Sequence, residues 1–288
     1  MSTVVIRYSS LGDIVLTGAV TSALAPVTFI THPRYRALVL ALPGVVAVCA
    51  GDDPLPTAAD RIIDLHSSLR SRRTARRIRG PVSRVRRYDL RRRTRVHLKL
   101  GAPPPTVVER YAEAAGVPAT PAPWLTVSGP ADALLLCPGS AWPTKAWSAA
   151  HFAALGARYP GPVIVLGGPD EVELTQSIAE AIGSRAEFIA EKGFAKTLVA
   201  LGRGRVAVAG DSGLMHLCAA AGVAVVGLFG PTTSHDGFWC HRGEVVELPL
   251  PCRPCSRYGG RVCPIGDHLC MTGITVDAVW DAVQRTQP

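Results

Sequence analysis

Residues 206–232 combine residue types that could bind a phosphate group. Their order is typical of a buried parallel strand, a tight turn, a helix and a second strand. The turn at 210–213, with the sequence GDSG, makes Asp211 or Ser212 the N-cap of the helix. The free N–H groups of a first helical turn bind phosphate, and glycines let the ligand approach the backbone. His216 follows Ser212 by four residues and therefore shares its helix face. The alternative is an ordinary capped βαβ unit without a ligand.

Two more turns with polar side chains follow predicted strands in the same half of the chain. After the strand predicted at 133–137, Ser140 offers a hydroxyl group and Lys145 a point charge. Together with the GDSG turn, they could hold a diphosphate from two sides. After the strand predicted at 163–167, Glu171 could accept hydrogen bonds from ribose hydroxyl groups. The alternatives are a solvent-exposed lysine and an acid placed for the helix dipole.

An acid also follows the first predicted strand, at residues 4–8. Asp13 lies in a turn without the Gly-x-Gly-x-x-Gly spacing of a dinucleotide site, and the chain has no Gly-x-x-x-x-Gly-Lys-Ser/Thr sequence. A carboxylate at that strand end could take a proton from a substrate hydroxyl group. It could also form a capping box with Ser10, which is a purely structural role.

The sequence offers one candidate metal cluster. No Asp-x-Asp pair is present to chelate Mg²⁺ for a nucleotide-sugar enzyme, so charge neutralisation would have to come from Lys145 and helix termini. Four of the eight cysteines fall within 19 residues, and they are Cys252, Cys255, Cys263 and Cys270. Free thiols are the favoured state in a reducing compartment, with a structural zinc site and disulfides as alternatives.

The positive charge of the chain is concentrated in one segment. The formal net charge is +9, and residues 70–99 hold 13 arginines and one lysine against a single acid, Asp89. Such a block favours an anionic lipid or glycolipid partner, and a solvated arginine-rich face is the alternative. Nucleic acid is disfavoured because Tyr88 is the only aromatic residue in this block.

Strands and helices alternate in both halves of the 288-residue chain. A helix is expected from the 9–13 turn to about residue 24, and a basic helix at 66–79. A proline-rich linker at 101–123 separates an N-terminal domain, 1–123, from a C-terminal domain, 124–288. The pattern predicts two doubly wound parallel sheets whose site-bearing edges face a central cleft. No uncharged apolar run approaches the roughly 20 residues of a membrane span, and the N-terminus lacks the pattern of a secretory leader, which predicts a cytoplasmic protein.

Several motifs, in this order, resemble those of glycosyltransferase family 9, the ADP-heptose:lipopolysaccharide heptosyltransferases. They are VVIRYSSLGDIVLTGAV near the N-terminus, IDLHSSLRS at 63–71, CPGSAWPTKAW at 137–147, GGPDE at 167–171 and GDSGLMHLCAAAGVAVVGLFGPT at 210–232. CRPCS, CPIGDHLCM and ITVDAV follow as a C-terminal signature. The sequence departs from the family pattern at Arg7, where lysine is common, at His66-Ser67, where Gln-Gly is usual, and at Ala141, where some members have a hydroxyl group.

The resemblance implies a GT-B architecture of two Rossmann-like domains and a metal-independent, inverting transfer of heptose. The donor would be ADP-L-glycero-D-manno-heptose, with no cofactor, and the acceptor an anionic lipopolysaccharide inner core. The enzyme would work in the cytoplasm, peripherally at the inner face of the cytoplasmic membrane and without nucleic acid. The alternatives are a related GT-B glycosyltransferase with another donor and acceptor, an epimerase of the same architecture, and a catalytically silent sugar-nucleotide-binding protein.

The resemblance also implies roles for individual residues. Asp13 matches the general base, and Lys145 stabilises the departing phosphate. The donor-binding positions are Ser140 and Lys145 at the phosphates, Glu171 at the ribose, and Asp211, Ser212, Gly213, Leu214 and His216 in the donor loop and helix. The acceptor-binding positions are Arg7, Ser9, Ser10, His66 and Arg70.

Overall fold

The computed structural model describes residues 1–237, 239 and 242–286. The chain forms two compact units. Unit 1 comprises Met1–Tyr88 and Pro105–Thr126, and unit 2 comprises Asp89–Pro104 and Val127–Pro288. The last boundary lies three residues from the predicted one, whereas Asp89–Pro104 departs from the predicted division because it packs with unit 2.

Unit 1 is built on a five-stranded parallel sheet. Its strands are β1 (Thr3–Ile6), β2 (Val27–Thr31), β3 (Val45–Ala50), β4 (Arg61–Asp64) and β5 (Val82–Arg84). Their order across the sheet is β3-β2-β1-β4-β5, so the direction of winding reverses between β1 and β4. All four residues of β1 are buried between neighbours on both sides, which explains its continuous apolar sequence.

Unit 2 is built on a six-stranded parallel sheet. Its strands are β6 (Ala133–Cys137), β7 (Val163–Gly167), β8 (Ala186–Ala190), β9 (Gly204–Gly210), β10 (Ala224–Phe229) and β11 (Gly243–Glu247). Their order is β11-β10-β9-β6-β7-β8, with the reversal between β6 and β9. This is the strand order of the Rossmann fold, and ligands of such sheets bind beyond the carboxyl ends of the strands at the reversal.

In the described part of the chain, twelve α-helices connect and cover the strands. They are α1 (Leu11–Val15), α2 (Gly18–Thr21), α3 (Arg36–Leu40), α4 (Leu69–Arg76), α5 (Asp89–Leu98), α6 (Val107–Ala115), α7 (Ala149–Arg158), α8 (Val172–Ile182), α9 (Ala195–Arg203), α10 (Gly213–Ala220), α11 (Leu269–Thr272) and α12 (Val276–Thr286). The unit 2 core includes Trp147, Phe152 and Leu228. Trp147 is buried in this core, and its indole N–H donates to the Ile274 carbonyl at 2.8 Å.

Two predicted helices differ from the structure in detail. The helical path expected to reach residue 24 does so in three pieces, α1, α2 and a 3₁₀ turn at Ser22–Leu24. It is interrupted at residues 16–17, where the Thr17 hydroxyl donates to the Ile14 carbonyl at 2.7 Å and competes with the helical ladder. The basic helix begins only at Leu69, because the backbone N–H groups of His66 and Ser67 donate to Asp64 at 3.1 and 2.8 Å and form a turn.

Five elements escaped the sequence pattern: the strands β5, β8 and β11 and the helices α5 and α11. The three strands lie at or near the rim of their sheets and are mostly half-buried or exposed, so they lack the apolar runs of central strands. Helix α5 is dominated by arginine and has no apolar stripe. Among the described residues, no helix combines the length and the apolar composition needed to cross a bilayer.

Candidate functional site

The polar residues predicted in unit 1 lie at the point where its sheet reverses. Arg7, Ser9, Ser10 and Asp13 follow β1, and His66 follows the neighbouring strand β4. Because the two strands are parallel and adjacent, their carboxyl ends bring these residues to one edge.

Asp13 is held by a network of donors. Its Oδ2 lies 2.5 Å from Arg7 Nη2 and accepts from the Ser10 hydroxyl at 2.9 Å and from the Ser10 N–H at 3.3 Å. The Tyr111 hydroxyl donates to Oδ1 at 3.4 Å. The contacts with Ser10 realise the capping box, so the structural role of Asp13 is present, and its side chain is 24% exposed.

Burial and neighbouring charges shift the pKa values of two residues that contact this carboxylate. Burial opposes the charge of Arg7, but Asp13 and other neighbours outweigh it and raise the pKa of the guanidinium. Burial, with a contribution from Asp13, raises the pKa of Tyr111. Tyr111 was not among the predicted site residues. A phenol group on the buried face of the amphipathic helix α6 is the sequence feature that could have indicated its role.

His66 and Arg70 gather around the ring of Tyr8. The His66 ring meets it edge to face at 5.7 Å, and the Arg70 guanidinium lies 4.1 Å from its centroid. Burial and then the nearby charge of Arg7 lower the pKa of His66, so its imidazole is neutral at pH 7. Its buried Nδ1 has no hydrogen-bond partner among the described residues.

The polar residues predicted in unit 2 also follow the carboxyl ends of strands near the point where the strand order reverses. Ser140 and Lys145 follow β6, Asp211 and Ser212 follow the adjacent strand β9, and Glu171 follows β7 on the other side of β6. Asp13 belongs to unit 1 and these residues to unit 2, so the shared central cleft stays a prediction.

Lys145 and Asp211 form an ion pair in this region. Lys145 Nζ lies 2.6 Å from Asp211 Oδ2, and the two side chains are 12% and 6% exposed. The Thr232 hydroxyl donates to the same Asp211 oxygen at 2.9 Å. Residue type alone did not predict this pair, because 66 residues separate its members.

The donor helix predicted from the GDSG turn is α10. Ser212 is its extended N-cap residue, but the side chain makes no capping hydrogen bond. The buried Oγ of Ser212 has no partner within the described part of the chain. Gly213 and Leu214 open the helix, half-buried, and His216 is buried one turn further on.

Glu171 links two of the turns. Its Oε2 accepts a hydrogen bond from the Gly168 N–H at 2.7 Å, and its carboxylate occupies the space that a Cβ on Gly139 would need. Gly139 therefore has to be glycine for Glu171 to reach the edge of β6. Ser140 forms its own turn, since its hydroxyl donates to the Trp142 carbonyl at 3.0 Å and accepts from the Trp142 N–H at 3.3 Å.

The four clustered cysteines are free thiols, so the disulfide alternative is not realised. Nor are three or more His, Cys, Asp or Glu side chains grouped to hold a metal anywhere in residues 1–237, 239 and 242–286. Three of the thiols, those of Cys255, Cys263 and Cys270, line one cavity together with His268. Cys255 Sγ lies 3.9 Å from the Pro231 carbonyl, Cys263 Sγ lies 4.0 Å from Asp267, and Cys270 is buried in the core, where burial raises its pKa to about 11.

The basic segment is divided between the two units. Its first part includes α4 in unit 1, and its last part forms α5 in unit 2. In α5, Arg92 is 7% exposed and Arg95 Nε donates to Asp236 at 3.2 Å. Lys99 Nζ donates to the Cys252 carbonyl at 2.9 Å. Several of these cations therefore serve internal contacts in unit 2, whereas Arg70 and most arginines of α4 are exposed.

Sequence comparison identifies the family. The model of glycosyltransferase family 9 (heptosyltransferase) matches residues 91–264, more than half of the chain. The lipooligosaccharide heptosyltransferase 2 of Campylobacter jejuni subsp. jejuni serotype O:2 is 30% identical over 154 residues. The match covers 50% of this chain and 47% of that relative, so the chain spans about half the length of the curated relative it matches.

Solved structures share the fold over nearly the whole chain. A glycosyl transferase family 9 protein from Veillonella parvula has a TM-score of 0.75 at 19% identity, with 99% of this chain and 96% of that chain covered. E. coli ADP-heptose LPS heptosyltransferase II has a TM-score of 0.73 at 20% identity, with 99% and 98% covered. E. coli heptosyltransferase WaaC with ADP has a TM-score of 0.74 at 16% identity, with 99% and 100% covered.

These likenesses and the two parallel-sheet units confirm the predicted α/β fold of the GT-B class. With the family model matched across most of unit 2, the chain belongs to glycosyltransferase family 9 (heptosyltransferase).

Proposed function

We propose that the protein is an inverting, metal-independent glycosyltransferase that moves heptose from ADP-L-glycero-D-manno-heptose to a lipopolysaccharide inner-core acceptor. The observation that carries this proposal is the set of phosphate-binding groups at the reversal of the unit 2 sheet. Lys145, the Ser212 hydroxyl and the N-terminus of α10 follow adjacent strands there, and that hydroxyl has no hydrogen-bond partner among the residues that the structure describes. The names of the relatives, which include an ADP-heptose LPS heptosyltransferase, support the choice of donor.

The donor half of the reaction is assigned to unit 2. The diphosphate of the donor binds beside Lys145, Ser140 and the N–H groups of Gly213 and Leu214, and negative charge grows on it as the glycosidic bond breaks. A fixed cation and helix dipole stabilise that charge without reorganisation. Lys145 and Asp211 together carry no net charge. Asp211, which accepts the hydrogen bond from Thr232, keeps the ammonium in place while Lys145 contacts the diphosphate.

The acceptor half is assigned to unit 1. Asp13 takes the proton of the acceptor hydroxyl group, and the oxygen attacks the anomeric carbon from the face opposite ADP. One carbon–oxygen bond forms, the bond to the diphosphate breaks with its electron pair, and the proton remains on Asp13. The configuration at that carbon inverts because the displacement is a single step. Arg7 has to loosen its 2.5 Å contact with Asp13 as the acceptor binds.

A positively charged surface supports an anionic, membrane-bound acceptor. Arg72, Arg73 and Arg76 are exposed on α4, and Leu69 at its start is 75% exposed. Exposed arginines beside an apolar side chain suit the anionic head groups of a lipopolysaccharide precursor at the inner face of the cytoplasmic membrane. Ser9, Ser10, His66 and Arg70 line the adjacent ends of β1 and β4 and complete the proposed acceptor side.

The deciding experiment incubates the protein with ADP-heptose and a defined inner-core acceptor and detects the product by mass spectrometry. We expect one heptose to be added, with the anomeric configuration inverted, in the presence of a chelator. Binding of ADP without turnover would favour a silent sugar-nucleotide-binding protein. Tighter binding of UDP than of ADP, by calorimetry, would favour another donor or an epimerase.

The Asp13→Asn variant tests the assignment of the base. It is isosteric and retains a polar group for Ser10 and Tyr111, so we expect the fold and ADP binding to survive. Transfer should fall below detection, because an amide cannot accept the proton. Normal turnover by this variant would remove Asp13 from the role of base.

A further inference from the structure

Residues 252–260, called here the brace segment, lie against the turn that carries Lys145. The segment contains Cys252 and Cys255 but also makes polar contacts that involve neither thiol. Arg253, whose side chain is 5% exposed, attaches the segment to the rest of unit 2. Arg253 donates to the carbonyl oxygens of Gly230 at 2.5 Å, Phe229 at 3.0 Å and Thr232 at 2.8 Å. The brace segment is therefore attached to the turn after β10.

Thr144 joins the brace segment to the Lys145 turn. Its hydroxyl donates to the Gly260 carbonyl at 2.9 Å and accepts from the Gly260 N–H at 2.8 Å, and its own N–H reaches the same carbonyl at 3.2 Å. On the other side, His268 Nε2 lies 2.7 Å from the Thr144 carbonyl oxygen. The backbone next to Lys145 is thus fixed from two directions, and Thr144 is 5% exposed.

Gly259 contacts the lysine side chain itself. A Cβ built on Gly259 would lie 2.8 Å from Cδ of Lys145 and 2.7 Å from Cβ of Trp142, so the two chains are in close contact. The φ angle of Gly259 is +105°, a conformation that favours glycine. Its place in the turn is set by Ser256, whose hydroxyl donates to the Gly259 carbonyl at 2.7 Å and accepts from its N–H at 2.9 Å. The Lys145 stem therefore runs along a wall made by the brace segment.

Helix α5 and Lys99, the residue that follows it, also contact the brace segment. Lys99 Nζ donates to the Cys252 and Pro254 carbonyl oxygens, the first at 2.9 Å. Arg257 forms an ion pair with Asp89, and the Arg92 guanidinium lies 5.1 Å from the centre of the Tyr258 ring. Lys99 and Arg92 are cations of the basic segment, and these contacts give them structural partners within unit 2.

We propose that the brace segment, pinned by helix α5, is the device that positions the Lys145 ammonium for the donor diphosphate. Lys99 and Thr144 are positioning residues in this device, since they act through Lys145 and touch no reacting atom. The proposal deepens the proposed function, because it rests on Lys145 binding a diphosphate. It predicts that ADP affinity depends on side chains that do not themselves contact ADP.

The four lysines of the chain, Lys99, Lys145, Lys192 and Lys196, supply a matched series for the test. Each is replaced by methionine, and the dissociation constant of ADP is measured by calorimetry. K145M should weaken ADP about a hundredfold by loss of a charge-assisted contact. K99M should weaken it several-fold, and K99R should restore it because a guanidinium can donate to both carbonyl oxygens. Lys192 and Lys196 are exposed, so K192M and K196M control for the loss of one charge.

Thr144 provides the second arm. T144V keeps the shape of the side chain but removes two hydrogen bonds and should weaken ADP about tenfold. T144S keeps the hydroxyl group and should bind ADP as the wild type does. T197V is the control for a general loss of stability. Thr197 is another buried threonine, it lies in α9, and its hydroxyl donates to Glu191 at 3.2 Å. In the K145M background, T144V should cause no further loss, because a group that acts only through Lys145 has nothing left to position.

The outcomes separate this inference from the proposed function. If the wild type does not bind ADP, or K145M binds it as tightly, the proposed function fails. If K145M weakens ADP while K99M and T144V do not, or if T144V adds its full effect to K145M, the brace inference fails. In transfer assays, K99M and T144V should raise KM for the donor and leave KM for the acceptor unchanged.

Discussion

The carboxylate of Asp13 has two roles that usually compete. It closes a capping box with Ser10 and pairs with Arg7, and it is also the candidate base of unit 1. A carboxylate that caps a short helix is fixed in direction, and this fixed direction is what a base needs. The structural and catalytic interpretations of this residue therefore support each other, and residue type alone could not decide between them.

Gly139 gives a prediction at the same scale. In G139A, the added Cβ would overlap the Glu171 carboxylate and displace it from the edge of β6. Since Glu171 is proposed to hold the ribose, ADP should bind about tenfold more weakly, by loss of a charge-assisted hydrogen bond. Calorimetry with ADP and with pyrophosphate separates the two parts of the ligand, because pyrophosphate has no ribose. E171A should match G139A, and the double variant should be no weaker than either.

At the scale of the elements, the 252–270 segment shows how one stretch of chain serves several purposes. The resemblance presents it as a signature, and its cysteine spacing suggests zinc. In the structure, its backbone, its arginines and its glycines also fix the Lys145 turn. The chemistry of the thiols and the positioning of Lys145 are thus separate properties of the same segment.

The thiols themselves should differ in reactivity. At pH 8, a short pulse of iodoacetamide should label Cys252 and Cys263, which are half-buried. Cys270 should be protected because burial raises its pKa to about 11, and Cys137 because it is fully buried and its pKa is raised by its contact with Cys218 and by burial. Mass spectrometry of digested peptides reads the labels, with a urea-denatured sample as the control. Labelling of Cys252 only after treatment with a chelator would instead support the zinc alternative.

At the scale of the whole molecule, the charges fall into two classes. The arginines of α4 are exposed, whereas Lys145 and Asp211 form a nearly buried pair. Salt screens exposed charges far more than buried ones, because the Debye length falls from about 10 Å at 0.1 M to about 3 Å at 1 M. The two proposed ligands should therefore respond differently to ionic strength.

Raising NaCl from low to high concentration should increase KM for an anionic acceptor severalfold more than it increases the dissociation constant of ADP. The double variant R73E/R76E should reproduce the loss of acceptor binding at low salt. K192E/K196E, which reverses two exposed charges in unit 2, is the control. Equal salt sensitivity for both ligands would contradict the assignment of α4 to the acceptor.

The central strands and their turns followed from the sequence because their patterns are local. The strands β6 and β7 have the predicted bounds, 133–137 and 163–167, since buried parallel strands need continuous apolar residues. The same reasoning placed Ser140, Lys145, Glu171 and Ser212 just after strands, and parallel sheets then bring them to one edge.

The sequence by itself thus determined the two α/β halves and the turns that carry the candidate site. Only the tertiary structure decided which side chains meet: Lys145 with Asp211, Asp13 with Arg7 and Tyr111, and Glu171 above Gly139. It also assigned α5 to unit 2 and gave its cations structural partners. The physical reason is that these contacts join residues distant in the chain, so their energies depend on packing that no local pattern records.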